Sequence, residues 1–121
     1  MTEGEELGEA TDRMNAAIRA VEEVLCSLHL GVPAEVDLGE GQTLAFRKDG
    51  KAFRLFFVQA DGTAMLLHSA PRAVRLRAVP KLAELYERMH LVAADETARV
   101  RAAERDAMAL VDRINAERGN R

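Results

Sequence analysis

The chain has 121 residues, 48% of them apolar but only 4% aromatic and none Trp, so one modest core must rest on Leu, Val, Ala, Met and four Phe. A lone cysteine, Cys26, excludes an internal disulfide. The acidic start MTEGEELGEA has neither the basic end nor the apolar stretch of a signal peptide, and no apolar run is long enough to span a membrane, so a cytoplasmic protein is expected.

The net charge of −3 conceals an uneven distribution. Residues 1–40 hold ten acids and two Arg, residues 41–90 hold nine Lys/Arg and four acids, and residues 91–121 hold six of each. A basic middle beside an acidic start fits self-association, complementarity within the chain, or an anionic partner.

Residues 1–8, with two Gly and three acids, are expected to fray. From about Thr11 to Leu30 the spacing predicts a helix. Met14, Ile18, Val21, Leu25 and Leu28 recur at steps of four and three, Ala17 and Val24 widen the stripe, and Gly31 and Pro33 end it. Val36–Leu38 reads as a short edge strand that could pair on either side.

The centre of the chain is residues 44–67, LAFRKDGKAFRLFFVQADGTAMLL, where Asp49-Gly50 and Asp61-Gly62 separate three apolar runs. Asp-Gly between such runs marks tight hairpins, so an antiparallel meander is predicted. Two-residue turns at both pairs place Phe46 opposite Phe53, Leu44 opposite Leu55, and Phe57, Val58 and Phe56 opposite Leu66, Met65 and Leu67. Alternation then gives a core face of Leu44, Phe46, Phe53, Leu55, Phe57 and Leu66. The second face carries Phe56, Val58, Met65 and Leu67, with Arg47 and Arg54 at the far end. Two apolar faces require two covers, and either the C-terminal helix or a partner chain supplies the second.

After the sheet, Ser69 is expected to cap a short helix with Pro71 in its first turn, and Pro80 to end or kink it. Leu82, Leu85, Tyr86, Met89 and Ala93, then Val100, Ala103, Ala107, Leu110 and Ile114, keep helical spacing up to Gly119-Asn120. Residues 81–118 form one long helix or two joined near 91–96, with 95–118 a candidate projecting arm. The fold expected is α+β in a single domain: N-terminal helix, antiparallel sheet of three or four strands, then C-terminal helices.

Candidate sites are few. Arg47, Lys48, Lys51, Arg54, Arg72, Arg75, Arg77 and Lys81 would suit nucleic acid if they shared one surface, because phosphate contacts dominate non-specific affinity. Cys26 and His29 are at most half of a zinc site, which needs about four ligands, and a buried thiol beside a surface histidine is the plainer reading. His68 and Ser69, adjacent on an extended strand, would point apart and so fail as base and nucleophile. No catalytic residue, metal or cofactor is expected, and the chain reads as a non-enzyme. The expected function is a homodimeric protein-interaction module: an adaptor, chaperone or assembly factor. Its interface would use Phe56, Val58, Met65 and Leu67 on the sheet, and Val100, Ala107, Leu110 and Ile114 on the C-terminal seam. Nucleic-acid binding, DNA included, through the basic hairpin and residues 72–81 is the alternative, and a ligand cavity between sheet and helices is a third.

Overall fold

A computed structural model describes residues 2–119. Met1, and Asn120 of the expected helix stop, lie outside the described residues. The order is α1 (Glu3–Ser27), β1 (Ala34–Gly39), β2 (Gln42–Asp49), β3 (Ala52–Val58), β4 (Ala64–Leu66), α2 (Arg72–Ala78) and α3 (Leu82–Gly119). Short 3-10 turns at Leu67–Ser69 and Val79–Lys81 precede α2 and α3. The four strands form one antiparallel meander in chain order, so β1 pairs with β2 and the open strand order is resolved.

α1 starts at Glu3, inside the stretch expected to fray. Thr2 caps it: its hydroxyl accepts the Glu5 N–H at 3.2 Å, and three acids lie in the first turn, where the helix dipole favours them. The helix closes at Ser27, earlier than its apolar stripe suggests, and His29 and Gly31 then take positive φ to turn the chain into β1.

Each hairpin differs in its turn. Between β1 and β2, Glu40 and Gly41 both take positive φ, as a two-residue type I′ turn requires. Between β2 and β3 the turn residues are Gly50 and Lys51, not Asp49 and Gly50. Glycine at the first central position, with φ +65°, makes the type II′ geometry, and Asp49 pairs with Ala52. The partners therefore move by two residues: Phe46 faces Leu55, Leu44 faces Phe57, and Lys48 faces Phe53. A shift of two preserves the faces.

The third hairpin does not preserve them. Its loop holds three residues, Ala60-Asp61-Gly62. Gln59 and Thr63 close it through a 2.8 Å bond, and Gly62 takes φ +89°. Val58 consequently pairs with Ala64, Phe57 with Met65 and Phe56 with Leu66, one residue out of the expected register. A slip of one reverses every side chain. Met65 joins Phe57 on the core side, and Leu66 moves to the outer face beside Phe56. Leu67 leaves the strand for the 3-10 turn and is fully buried.

All three helices pack onto one face of the sheet. Ile18 and Leu25 of α1, Ala78 of α2, and Leu82, Leu85 and Met89 of α3 meet Leu44, Phe46, Leu55 and Phe57. Phe46 stacks on Phe53 with ring centroids 5.3 Å apart. β4 covers only Phe56–Val58 of β3, so the start of β3 has an open edge. α1 closes it with side chains: Glu22 Oε2 accepts the Leu55 N–H at 2.8 Å, and the Cys26 thiol donates to the Phe53 carbonyl at 3.1 Å. Backbone groups that a fifth strand would pair are thus satisfied, and the edge is blunted. Arg54 Nε reaches Glu22 at 3.4 Å and fixes the carboxylate.

Glu22→Ala leaves the Leu55 N–H and Arg54 without their acceptor and should cost about 1–3 kcal/mol in urea unfolding. Glu22→Gln retains an acceptor and should cost clearly less. Equal losses would mean that the edge closure contributes nothing specific.

Candidate functional site

Three surfaces compete for the role of site: the basic residues, the polar cluster at the β3 edge, and the apolar surfaces outside the core. The basic residues do not form one continuous cluster, although Arg47 and Arg54 are cross-strand partners on β2 and β3. Arg77 of α2 holds the beginning of β2, donating to Gln42 Oε1 and to the Leu38 carbonyl, each at 2.8 Å. Lys48 and Lys51 flank the far end of the same strand. At about 3.4 Å per residue, the two groups stand roughly 20 Å apart along β2. Arg54 is engaged by Glu22, Arg47 lies over the Phe56 ring at 5.2 Å, and Lys81 pairs with Glu84 at 3.5 Å. Arg75 is buried and donates to Asn15 Oδ1 of α1, with its Nε unpartnered. It is a packing residue, and only Arg72 of its segment remains exposed without such a contact.

The polar cluster contains an unforeseen contact. Because Leu67–Ser69 is a 3-10 turn rather than extended chain, Ser69 Oγ and His68 Nδ1 stand 3.3 Å apart. His68 Nε2 is also 3.3 Å from Arg54 Nη2. A guanidinium only donates, so Nε2 accepts from Arg54, Nδ1 carries the ring proton, and Ser69 Oγ accepts it. In that arrangement the imidazole has no free lone pair for the serine proton, the opposite of what an activated nucleophile needs. Ser69 does not cap α2 either: α2 follows Pro71, whose carbonyl accepts the Val74 and Arg75 N–H groups.

Cys26 and His29 line a cleft of about 370 Å³ with Phe46, Phe53, Lys51 and Met89, between the end of α1 and the β2–β3 turn. Among the described residues, no group of three or more His, Cys, Asp or Glu is placed to hold a metal ion. Burial, and then the neighbouring Glu22 carboxylate, push the Cys26 thiol above its ordinary value. It is therefore a proton donor rather than a thiolate nucleophile near neutral pH.

The apolar surfaces are the third candidate. On the outer face of the sheet, Phe56 and Val58 of β3 sit beside Ala45 of β2 and Leu66 of β4, and none belongs to the core that the helices build. The sequence expectation placed Met65 and Leu67 here; the three-residue loop substitutes Ala64 and Leu66. α3 is one helix of 38 residues without a break at 91–96. Only its first part is anchored. Leu82, Leu85 and Met89 are buried, whereas every residue from Ala103 to Gly119 is exposed, including Leu110 at 54% and Ile114 at 44%. Val100, Ala107, Leu110 and Ile114 thus lie on an arm about 39 Å long, measured from Ala94 at 1.5 Å per residue. Beside the anchored half, a groove of about 410 Å³ runs between Val21, Val24 and Leu25 of α1 and Leu82, Ala83 and Tyr86 of α3. Sequence spacing does not reveal it, because Val24 and Tyr86 each read as part of a core stripe.

In comparisons with known proteins, no family model, no curated protein and no solved structure matches the chain. No helix among the described residues is long and apolar enough to cross a membrane.

Two outcomes test this description. A thiol with a raised value keeps its proton in the fold to higher pH than in the unfolded chain. Its stabilisation is therefore complete below the ordinary thiol range of about 8.5 and is lost as pH rises through the raised value. Cys26→Ser, which keeps a donor that does not ionise, should flatten the alkaline loss of stability relative to the parent; parallel curves would contradict the assignment. Ser69→Ala should change stability by less than about 0.5 kcal/mol, whereas removal of a true cap costs about 1 kcal/mol.

Proposed function

We propose that the chain is a non-enzymatic, homodimeric protein-interaction module of the adaptor, chaperone or assembly-factor kind. The observation that carries this reading is a pair of apolar surfaces outside the core that the helices build: the half-buried outer sheet face around Phe56, Val58 and Leu66, and the exposed α3 arm around Val100, Leu110 and Ile114. Water-exposed apolar surface on this scale is costly to maintain unless it is used. The arm supplies self-association. Its six acids against five Arg between Asp95 and Arg118 nearly cancel, so two arms can approach without net repulsion. The sheet face supplies a separate docking surface for another protein, framed by the Arg47–Phe56 contact and by Glu35 and Asp37 of β1.

Nucleic-acid binding has weaker support. It retains Arg47, Lys48 and Lys51 at one end of β2 and in the turn after it, with Arg72 and Lys81 on the separate helical segment after the sheet, and no continuous stripe of the kind phosphates require joins them.

Light scattering behind a sizing column should give a mass near twice 13.3 kDa. Leu110→Asp should halve that mass with circular dichroism still reporting a folded body. Val58→Asp should leave mass and unfolding midpoint unchanged while proteins retained from a lysate by the parent are lost. A single-chain mass for the parent would sink the homodimer, and identical retention by parent and Val58→Asp would sink the sheet-face assignment.

A further inference from the structure

A strict seven-residue series runs the length of α3 and the turn before it: Val79, Tyr86, Ala93, Val100, Ala107 and Ile114. Leu82, Leu85 and Met89 face the sheet, but this series does not belong to the core cluster, and Val79, Tyr86, Val100 and Ile114 are 38%, 44%, 59% and 44% exposed. Tyr86 lines the groove between α1 and α3, and Ala93 and Val100 line a second cleft of about 400 Å³ beside His29 and Leu30. The two depressions and the arm therefore lie along one apolar line. A seven-residue period, rather than 3.6, is the mark of a helix that winds with another helix.

Resting on the homodimer reading, the geometry points to one occupant of this trough: the α3 arm of a second copy, running antiparallel. The chain's own arm cannot reach it, because α3 continues unbroken away from the groove. A parallel partner would bring its α1 and sheet into the space held by this body, since the groove adjoins the anchored half of α3. Only the arm, exposed on all sides from Ala103 onward, is slim enough to lie between α1 and α3. Antiparallel placement with Ile114 near the partner's Ala83 and Leu110 near the partner's Tyr86 sets the two-fold axis close to Thr97, and the contact closes symmetrically as a dimer. A small residue then meets a large one where Ala83 provides room for Ile114. Both copies together cover on the order of 1,000 Å² of apolar surface before alanines and charged stems are added, close to the roughly 1,200 Å² at which stable interfaces begin.

Single cysteines in full-length Cys26→Ser protein test the arrangement by oxidative cross-linking. Thr97→Cys, next to the axis, should link to itself at least tenfold faster than Ile114→Cys. Mixed Ile114→Cys and Ala83→Cys proteins should link to each other. Dimer mass with rapid self-linking of Ile114→Cys would mean parallel arms, and with rapid self-linking of Ala107→Cys would mean arms paired only with arms. Either overturns this inference and leaves the homodimer intact. Dimer mass with no link at any of these positions also overturns it, whereas single-chain mass overturns the homodimer reading itself.

Discussion

An α-helix bonds each interior N–H to the carbonyl four residues earlier, so its second half cannot fold over its first without breaking those bonds. α3 runs 38 residues under that constraint. Its first turns are fixed by Leu82, Leu85 and Met89 in the core, and the direction of everything after Met89 follows. The arm must leave the body. Had the chain bent at 91–96, the apolar stripe could have covered the molecule's own groove; Ala93, Ala94 and Ala98 instead favour continuation, with no Pro or Gly between Lys81 and Gly119.

The body has a complementary solution to the problem of open sheet edges. β4 is too short to cover β3, and α1 supplies a carboxylate and a thiol where strand backbone would otherwise pair. That arrangement fixes the height of α1 against the sheet, and with it the separation of α1 from α3. The groove between Val24 and Tyr86 lies between α1, held at the edge of β3, and α3, packed on the sheet. Arg75, buried against Asn15, and Arg77, bound to Gln42 and the Leu38 carbonyl, tie α2 to α1 and to the β1–β2 hairpin in the same way. Much of the basic middle of the chain is thus used as internal bracing.

Periodicity carried the elements it could. The helices of 14–28 and 82–114, and the core positions Leu44, Phe46, Leu55 and Phe57, were legible because a stripe or an alternation survives small errors at its ends. The β2–β3 turn was misplaced, yet a shift of two residues between partners preserves the faces. At Asp61-Gly62 the same reasoning failed, because a three-residue loop reverses the parity, and Met65, Leu66 and Leu67 each changed side. Thr2 and Glu5 offered a readable cap signal that the neighbouring glycines and acids obscured. Other features had no local signal at all. Arg75 becomes buried only because Asn15, sixty residues away, meets it, and the pairing of Cys26 with the Phe53 carbonyl depends on where β4 stops. The Ser69–His68 contact required a 3-10 turn in place of extended chain.

The central claim is that the α3 arm is held by a second copy of the chain. Amide hydrogen exchange across residues 94–118, followed as the protein is diluted, addresses it most directly. The account predicts strong protection at high concentration that falls on dilution, while Leu82–Met89 stays protected throughout, because an arm without a partner has no tertiary packing to hold its turns. Exchange in the arm that is rapid at every concentration, or protected equally at every concentration in a single-chain protein, would contradict it.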